Sequence, residues 1–402
     1  MRSARPTLRA LPTLAALLAS APAAAFEVAN RSPDEGFDKV LIDVGGFVQP
    51  RFVRSPADEA AGAPGEVGFQ VARARLEVRS ELFTLRDGQA VRTDRWGDSG
   101  YGKGWGIAPK MSAEMVPEAF LMDAYLDLRV RPWAMLRAGQ FKSPANRTLL
   151  VSDRKTLFPE RAELQDIAPR REMGAMLHGY APQHFVEYNL AAFNGEGRNR
   201  LGNVNRKLLW MGRVALSPLG GPGPTSELLP SNMEPTFTLG YAAHLNRIGP
   251  EGQEEGTLGH NAEAMVHWRW VTAQAEFLHQ FNDWEDVSIA DYNAVAWYGQ
   301  LGVFIPRTDD RVALMGRFED VEPFDPISVD VPLSGPTDEN QAHQVVSYGV
   351  GLYAGRPWFS SVHELRVQLV YNHYIETESP AFDPDRFDYD NDQFQVAGHF
   401  TF

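Results

Sequence analysis

The stretch DQFQVAGHFTF, Asp392 to Phe402, alternates apolar and polar side chains to its last residue. Phe394, Val396, Gly398, Phe400 and Phe402 share one face; Gln393, Gln395, Ala397, His399 and Thr401 share the other. Successive strand side chains point to opposite sides, so this segment is a strand with one apolar and one wet surface. Such a strand wants hydrocarbon on one side and water on the other.

A terminal strand that ends on an aromatic carboxyl residue is how bacterial outer-membrane barrels end, and the opposite end of the chain agrees. Arg2, Arg5 and Arg9 form a positive start, Ala10 to Ala19 an apolar stretch, and Ala23-Ala24-Ala25 a small-residue cleavage site before Phe26. This reads as a secretory signal peptide over residues 1–25, with the barrel occupying residues 26–402. Pro12, Pro22 and the lack of acids argue against an ordinary cytosolic helix there.

No later segment approaches the roughly 18 uninterrupted apolar residues that a membrane helix needs, so any later span must be β. The mature chain, about 377 residues, suits roughly 16 strands of about ten residues plus loops in one domain. There are no cysteines, which excludes disulfides and cysteine-based metal sites. The formal charge of −14 becomes −17 without the three signal-peptide arginines, 35 basic against 52 acidic residues, and a nucleic-acid partner is not expected.

Alternation predicts strands at Val40–Val53, Gly68–Phe83, Phe120–Val130, Trp133–Lys142, Arg170–Tyr180, His184–Asn194 and Asn205–Leu216. It predicts more at Thr236–Leu245, Gly259–Trp270, Val271–Asn282, Tyr292–Phe304, Arg311–Asp320, Gln344–Ala354, His363–Ile375 and the terminal strand. Outer-membrane barrels alternate short turns with long loops. Counting back from the C-terminus, short connections fall at Gly355–Ser360, Pro306–Asp310, Arg269–Val271, Ala181–Gln183 and Arg131-Pro132. Ser217–Pro235, rich in Pro and Gly, is the one long link on that side. The parity closes only with one more strand between Phe83 and Phe120, placed at Gln89–Trp96 after an Asp87-Gly88 turn. The expected fold is an all-β, 16-stranded antiparallel transmembrane barrel.

Charge placement assigns the faces. From Val71 to Phe83 the odd positions carry Arg73, Arg75, Glu77, Arg79 and Glu81, and the even ones are mostly aliphatic. A charge at the bilayer midplane costs roughly 2–4 kcal/mol, so the odd face looks into the lumen. The same reasoning turns Asp123, Asp127, Arg129, Arg213, Glu263, Glu276, Arg317, Glu364 and Arg366 inward. It turns Phe120, Met122, Leu126 and Leu128 outward. Parity admits only one of Arg170 and Arg171, and with Met173 and Leu177 facing lipid it selects Arg170. Arg137 shares its parity with Trp133 and stays unassigned.

The stretch AYLDLR at Ala124–Arg129, AGQFKSP at Ala138–Pro144 and SDRKTLFPERA at Ser152–Ala162 resemble the phosphate-selective porin O and P family. So do REMGAMLHGY at Arg171–Tyr180, VEYNLAAFNGEG at Val186–Gly197, GRVALSP at Gly212–Pro218 and the final FQVAGHFTF. The likeness covers most of the mature chain, in order. It implies a trimeric porin of the outer membrane whose third external loop folds into the lumen and narrows it, with arginines leading anions to a Lys/Arg cluster there. It also implies delivery to the barrel assembly machinery through the terminal Phe402.

On that resemblance the segment from Ser143 to Pro169 is the constriction loop, with Arg147, Arg154, Lys155 and Arg161 balanced by Asp153, Glu160, Glu163 and Asp166. Lys142, Arg170 and Arg171 flank it. Guanidinium and ammonium groups in a narrow, partly desolvated passage attract phosphate by charge and forked hydrogen bonds. Arg73, Arg75 and Arg79, about 7 Å apart per step, are the candidate anion ladder. Any porin wall carries salt-bridged arginines, so plain wall electrostatics is the competing reading of this set.

Other motifs carry less. Gly97-Asp98-Ser99-Gly100 and Ala242-Ala243-His244 have serine-protease words in reversed order, without a third member. His184, His267 and His363 are isolated wall or interface residues, and no cofactor is implied. Asp383, Asp385, Asp388, Asp390 and Asp392 form an acidic loop, solvated or holding divalent cations against lipopolysaccharide phosphates. Trp133, Trp210, Trp268, Trp270, Trp297 and Trp358 fit an aromatic girdle or a subunit interface. The expected function is passive diffusion of small anions such as phosphate; a general diffusion pore is the alternative, and an outer-membrane enzyme or adhesin a more distant one.

Overall fold

The computed structural model describes residues 24–30, 39–56, 67–83, 106–203, 205–221, 223–224, 226–250, 254–285, 291–326, 342–354, 365–376 and 392–401. Its strands are β1 Ala24–Asn30, β2 Lys39–Arg54, β3 Val67–Phe83, β4 Gly106–Glu114, β5 Phe120–Arg131, β6 Ala134–Lys142, β7 Arg171–Tyr180, β8 Val186–Phe193 and β9 Leu209–Leu216. The second half holds β10 Thr236–Ile248, β11 Glu255–Trp268, β12 Val271–Trp284, β13 Tyr292–Phe304, β14 Val312–Pro326, β15 His343–Ala354, β16 Leu365–Glu376 and β17 Gln393–Thr401.

Strands β2 to β17 pair antiparallel in sequence order, and β17 returns to β2 with Ala397 opposite Arg51 and Thr401 opposite Phe47. The ring is a closed 16-stranded barrel, which leaves no open sheet edge along the shared length of its strands. The short β1 pairs with the start of β2, Ala24 opposite Val44 and Asn30 opposite Lys39, and covers the edge of β2 that runs past the end of β17. The predicted signal peptide lies almost wholly outside the described residues.

The sixteenth strand is present, but at Gly106–Glu114: Arg79 faces Lys110 and Leu82 faces Ile107. Gln89–Trp96 and the Asp87-Gly88 turn lie outside the described residues, as do Glu364, His363, Trp358, Phe402 and the acidic loop before Asp392. Pro109 conceals β4 in the sequence, because proline reads as a strand breaker. The ring tolerates it with its side chain outside, opposite Leu126.

Faces follow alternation over most of the barrel. In β17, Gln395, Ala397 and His399 are buried inside while Phe394 is outside. Leu126, Leu136, Leu190, Trp210, Leu239 and Trp268 lie exposed on the outer wall, an apolar surface suited to lipid. Trp133, Trp270 and Trp297 are exposed too. Among the described residues no helix is long and apolar enough to cross a membrane.

Two irregularities reverse the predicted faces. The register slips between Ser112 and Ala113, so that Ser112 faces Asp123 and Ala113 faces Leu121. Met122, expected outside, is buried, and Leu121 is exposed in its place. Phe120 likewise turns to the inside, where it lines a cavity with Met122. A second slip at Gln49/Pro50 puts Val71 on the outer wall, off the face of Arg73. A bulge adds one residue to one strand and flips the parity of everything beyond it.

Gly139 is required where it stands. Its φ is +131°, and a Cβ there would meet the Ala124 carbonyl oxygen at 2.2 Å. The backbones of β5 and β6 can therefore approach closely just before β6 delivers Phe141 and Lys142 to the interior.

Candidate functional site, a basic passage beside a long inward connection

The connection between β6 and β7, residues 143–170, decides the shape of the interior. It starts with a one-turn helix, Arg147–Leu150, capped by Asn146, whose Oδ1 accepts from the Leu149 N–H at 2.8 Å. The Arg147 and Thr148 N–H groups, unpaired by any intrahelical bond, donate to Glu276 of β12 at 2.8 Å each. Glu276 also accepts from the Tyr298 hydroxyl at 2.6 Å and from Asn261 at 3.2 Å.

Further along, the same connection is bonded to the far wall. Arg366 of β16 donates to the carbonyls of Thr156 (2.5 Å) and Asp153 (3.1 Å), and Gln368 to that of Leu157 (2.5 Å). Gln49 and Arg73 donate to the Pro159 carbonyl at 3.2 and 2.9 Å, and Arg317 to the Glu160 carbonyl at 3.0 Å. The Glu163 N–H donates to Glu319 at 2.6 Å, and Glu163 meets His343 at 2.6 Å. Backbone groups taken out of water must find partners, and inward polar side chains of β2, β3, β12, β14 and β16 supply them.

On the β3–β9 side the interior stays open. One cavity of about 300 Å³ is lined by Arg75, Arg79, Lys110, Arg137, Lys142, Lys155, Arg171 and Arg213, against Glu77, Asp123 and Glu187. A second, of about 520 Å³, takes Arg73, Arg75, Arg161, Arg170, Arg171 and Arg198, against Glu114, Asp153 and Glu172. The second reaches the rim at Val116 and Pro117, and the first extends to Pro224 of the connection between β9 and β10. Arg75 and Arg171 line both.

The candidate ladder is brought together but heavily paired. Arg73 bonds Gln49 at 2.6 Å and pairs with Glu160; Arg75 pairs with Glu114 at 2.9 Å and Asp153 at 2.5 Å; Arg79 pairs with Glu77 at 2.7 Å. Burial by itself would raise the Asp153 carboxyl, but Arg161 and Arg75 hold it well below the usual carboxylate range. Burial, with Arg154 and Arg79 nearby, pushes the Lys155 ammonium down to about 7.

The predicted constriction residues separate into two groups. Lys142 and Lys155 line the first cavity, and Lys142 also donates to the Val151 carbonyl at 2.7 Å. Arg147, fully buried, is bonded to the Gly223 carbonyl at 3.1 Å and lines neither cavity. Arg154 pairs with Glu77 at 2.7 Å, and Arg161 with Asp153 at 2.8 Å while donating to the carbonyls of Thr148 and Val151.

Arg171 corrects the parity argument, which admitted only one of the pair: expected outside, it is buried and bonded to Asp123 at 2.9 Å, while Arg170, its side chain 58% exposed and paired with Asp166, borders the second cavity as well. The strand starts at Arg171, so strand alternation does not extend to residue 170. Asp123 also holds Lys110 at 2.8 Å. Asp127 gathers Arg129 (3.3 Å), Arg137 (3.1 Å) and His178 (2.7 Å), and Arg137 lies over the Tyr125 ring at 4.3 Å. Arg137 thus faces inward. Sequence reasoning missed Lys110 because it missed β4, and missed Arg198 because loop residues follow no face rule.

As a sequence, the chain matches no family model and no curated protein. As a fold it is similar to solved structures. They include an anion-selective porin from Comamonas acidovorans (TM-score 0.59, 10% identity, 90% of this chain and 100% of that one). The outer membrane channel DcaP of Acinetobacter baumannii gives 0.58 at 8% identity over 93% and 100% of the two chains. OmpT, an outer membrane protein of Vibrio cholerae in a trimer form, gives 0.56 at 8% identity over 90% and 99%. At these identities the likeness is one of fold: this chain closes the same kind of barrel as known porins.

Proposed function

We propose that this protein is a passive pore of the bacterial outer membrane for small hydrophilic anions, phosphate-like ones among them. The observation that carries the reading is the lining of the first cavity, with eight Lys and Arg side chains against three carboxylates. The chain as a whole is acidic, at −14. A permeating ion responds to the field of the narrow passage more than to the total charge. Arg75, Arg79, Lys142, Lys155 and Arg171 would pass an anion between several weak sites, with residues 143–170 as the constriction.

The sequence resemblance supports phosphate as the kind of anion, the neighbouring trimer form supports a homotrimer, and residues 1–25 would direct export. Lipid and lipopolysaccharide would cover the outer wall, and Phe402 would be read by the barrel assembly machinery. A general diffusion pore is the second reading, favoured by the pairing of Arg73, Arg75 and Arg79 with carboxylates. The zero-current potential of the purified protein in a planar bilayer under a KCl gradient decides between them. An anion-selective potential with chloride current blocked by added phosphate supports the proposal; weak or cation selectivity without block supports the general pore.

A further inference from the structure

The long link on the turn side, residues 217–235 between β9 and β10, has a place that no property of a β-turn requires. It enters the barrel from the rim opposite to residues 143–170 and meets them inside. The Glu227 carboxylate, 2% exposed, accepts from the Leu157 N–H at 2.7 Å and from the Thr148 hydroxyl at 3.1 Å. The Glu227 N–H donates to the Lys155 carbonyl at 3.0 Å. One residue thus ties three points of the other connection. Beside it Leu228 packs with Leu157, Phe158, Phe304, Met315 and Tyr353 in an apolar cluster. The link is itself anchored to the wall, Leu229 N–H to the Thr272 hydroxyl at 3.1 Å and Ser231 N–H to Asp310 at 2.9 Å.

A connection exposed to water would not bury a carboxylate and a leucine pair, and a buried carboxylate is retained where its lone pairs are taken up by donors. We infer that residues 217–235 form a second, inward wall of the lumen, and that Glu227 is a positioning residue locking residues 143–170 in place. Together the two connections fill the space beside β12–β16 and leave the β3–β9 side as the route. This rests on the pore reading for its consequence, though not for its geometry.

The chain has no cysteine, which gives a direct test. Full-length protein carrying Lys155→Cys and Glu227→Cys, whose backbones share the 3.0 Å hydrogen bond and so lie within disulfide reach, is oxidised in detergent and compared on a gel with and without reductant. In parallel, single-channel conductance is measured for wild type, Glu227→Ala, Glu227→Asp and a variant with residues 219–234 replaced by Asn-Gly. The expected results are a reductant-sensitive mobility shift, a roughly twofold conductance rise in the Asn-Gly variant, a smaller and noisier rise in Glu227→Ala, and recovery in Glu227→Asp. Wild-type conductance in the Asn-Gly variant, with the heat-modifiable gel mobility of a folded barrel retained, overturns the inference. So does a cysteine pair that labels with maleimide but does not cross-link. A wild type that conducts nothing overturns the pore reading instead, and the cross-link then still reports the contact.

Discussion

The two sides of the lumen use the same residue type for opposite ends. Along β3–β9, Arg75, Arg79, Arg137 and Arg171 border open cavities, their charges shared with carboxylates but facing solvent-sized space. Along β14–β16 and β2, Arg317 and Arg366 point inward just as faithfully, yet their guanidinium groups are occupied by the carbonyls of Glu160, Thr156 and Asp153. An inward arginine is therefore not by itself a rung for anions. What it does depends on whether a second segment of chain lies against it.

The sharpest way to break this contrast is Arg75→Ala, because Arg75 belongs to both sides of the argument: it borders both cavities and anchors Asp153. Removing one partner of a buried ion pair costs about 3–5 kcal/mol. The urea midpoint of the heat-modifiable band should fall, and anion preference with it; an unchanged midpoint would show that Asp153 and Glu114 are adequately held by other groups. Next in size is Arg366→Met. Losing its hydrogen bonds to the Thr156 and Asp153 carbonyls costs roughly 1–3 kcal/mol per unsatisfied group. It should raise conductance and current noise while leaving the sign of selectivity alone, and a selectivity loss equal to that of Arg171→Ala would place Arg366 on the route.

A moderate effect is expected of Lys155. Its ammonium, lowered to about 7 by burial and by Arg154 and Arg79, is charged below that pH and neutral above it. Anion preference should decline as pH rises from about 6 to about 8, and Lys155→Arg, which keeps its charge across this range, should flatten the profile. A wild-type zero-current potential independent of pH over this interval would remove Lys155 from the route. The smallest effect belongs to Arg170→Ala. An exposed pair such as Arg170–Asp166 is worth at most about 1 kcal/mol, so stability and selectivity should both stay near wild type. A large selectivity change would make Arg170, which borders the second cavity, a rung of the route.

Most of the barrel was legible from alternation, since the side-chain period of a strand is a local property and an apolar outer face over a polar interior repeats it on most strands. Hence the terminal strand, the inward turn of Asp123, Asp127, Arg213 and Arg366, and the even strand count could be read from residues alone. Where the backbone departs from that period the reading failed: at the bulge that buries Met122, at the one that exposes Val71, at the Arg170–Arg171 strand start, and at Pro109 inside β4. The tertiary structure alone decided which arginines border space and which hold chain. Arg366 meets Thr156 across 210 positions of sequence and Thr148 meets Glu227 across 79. Which backbone carbonyl or carboxylate an inward side chain finds depends on how two long connections share one lumen, and no local pattern records that.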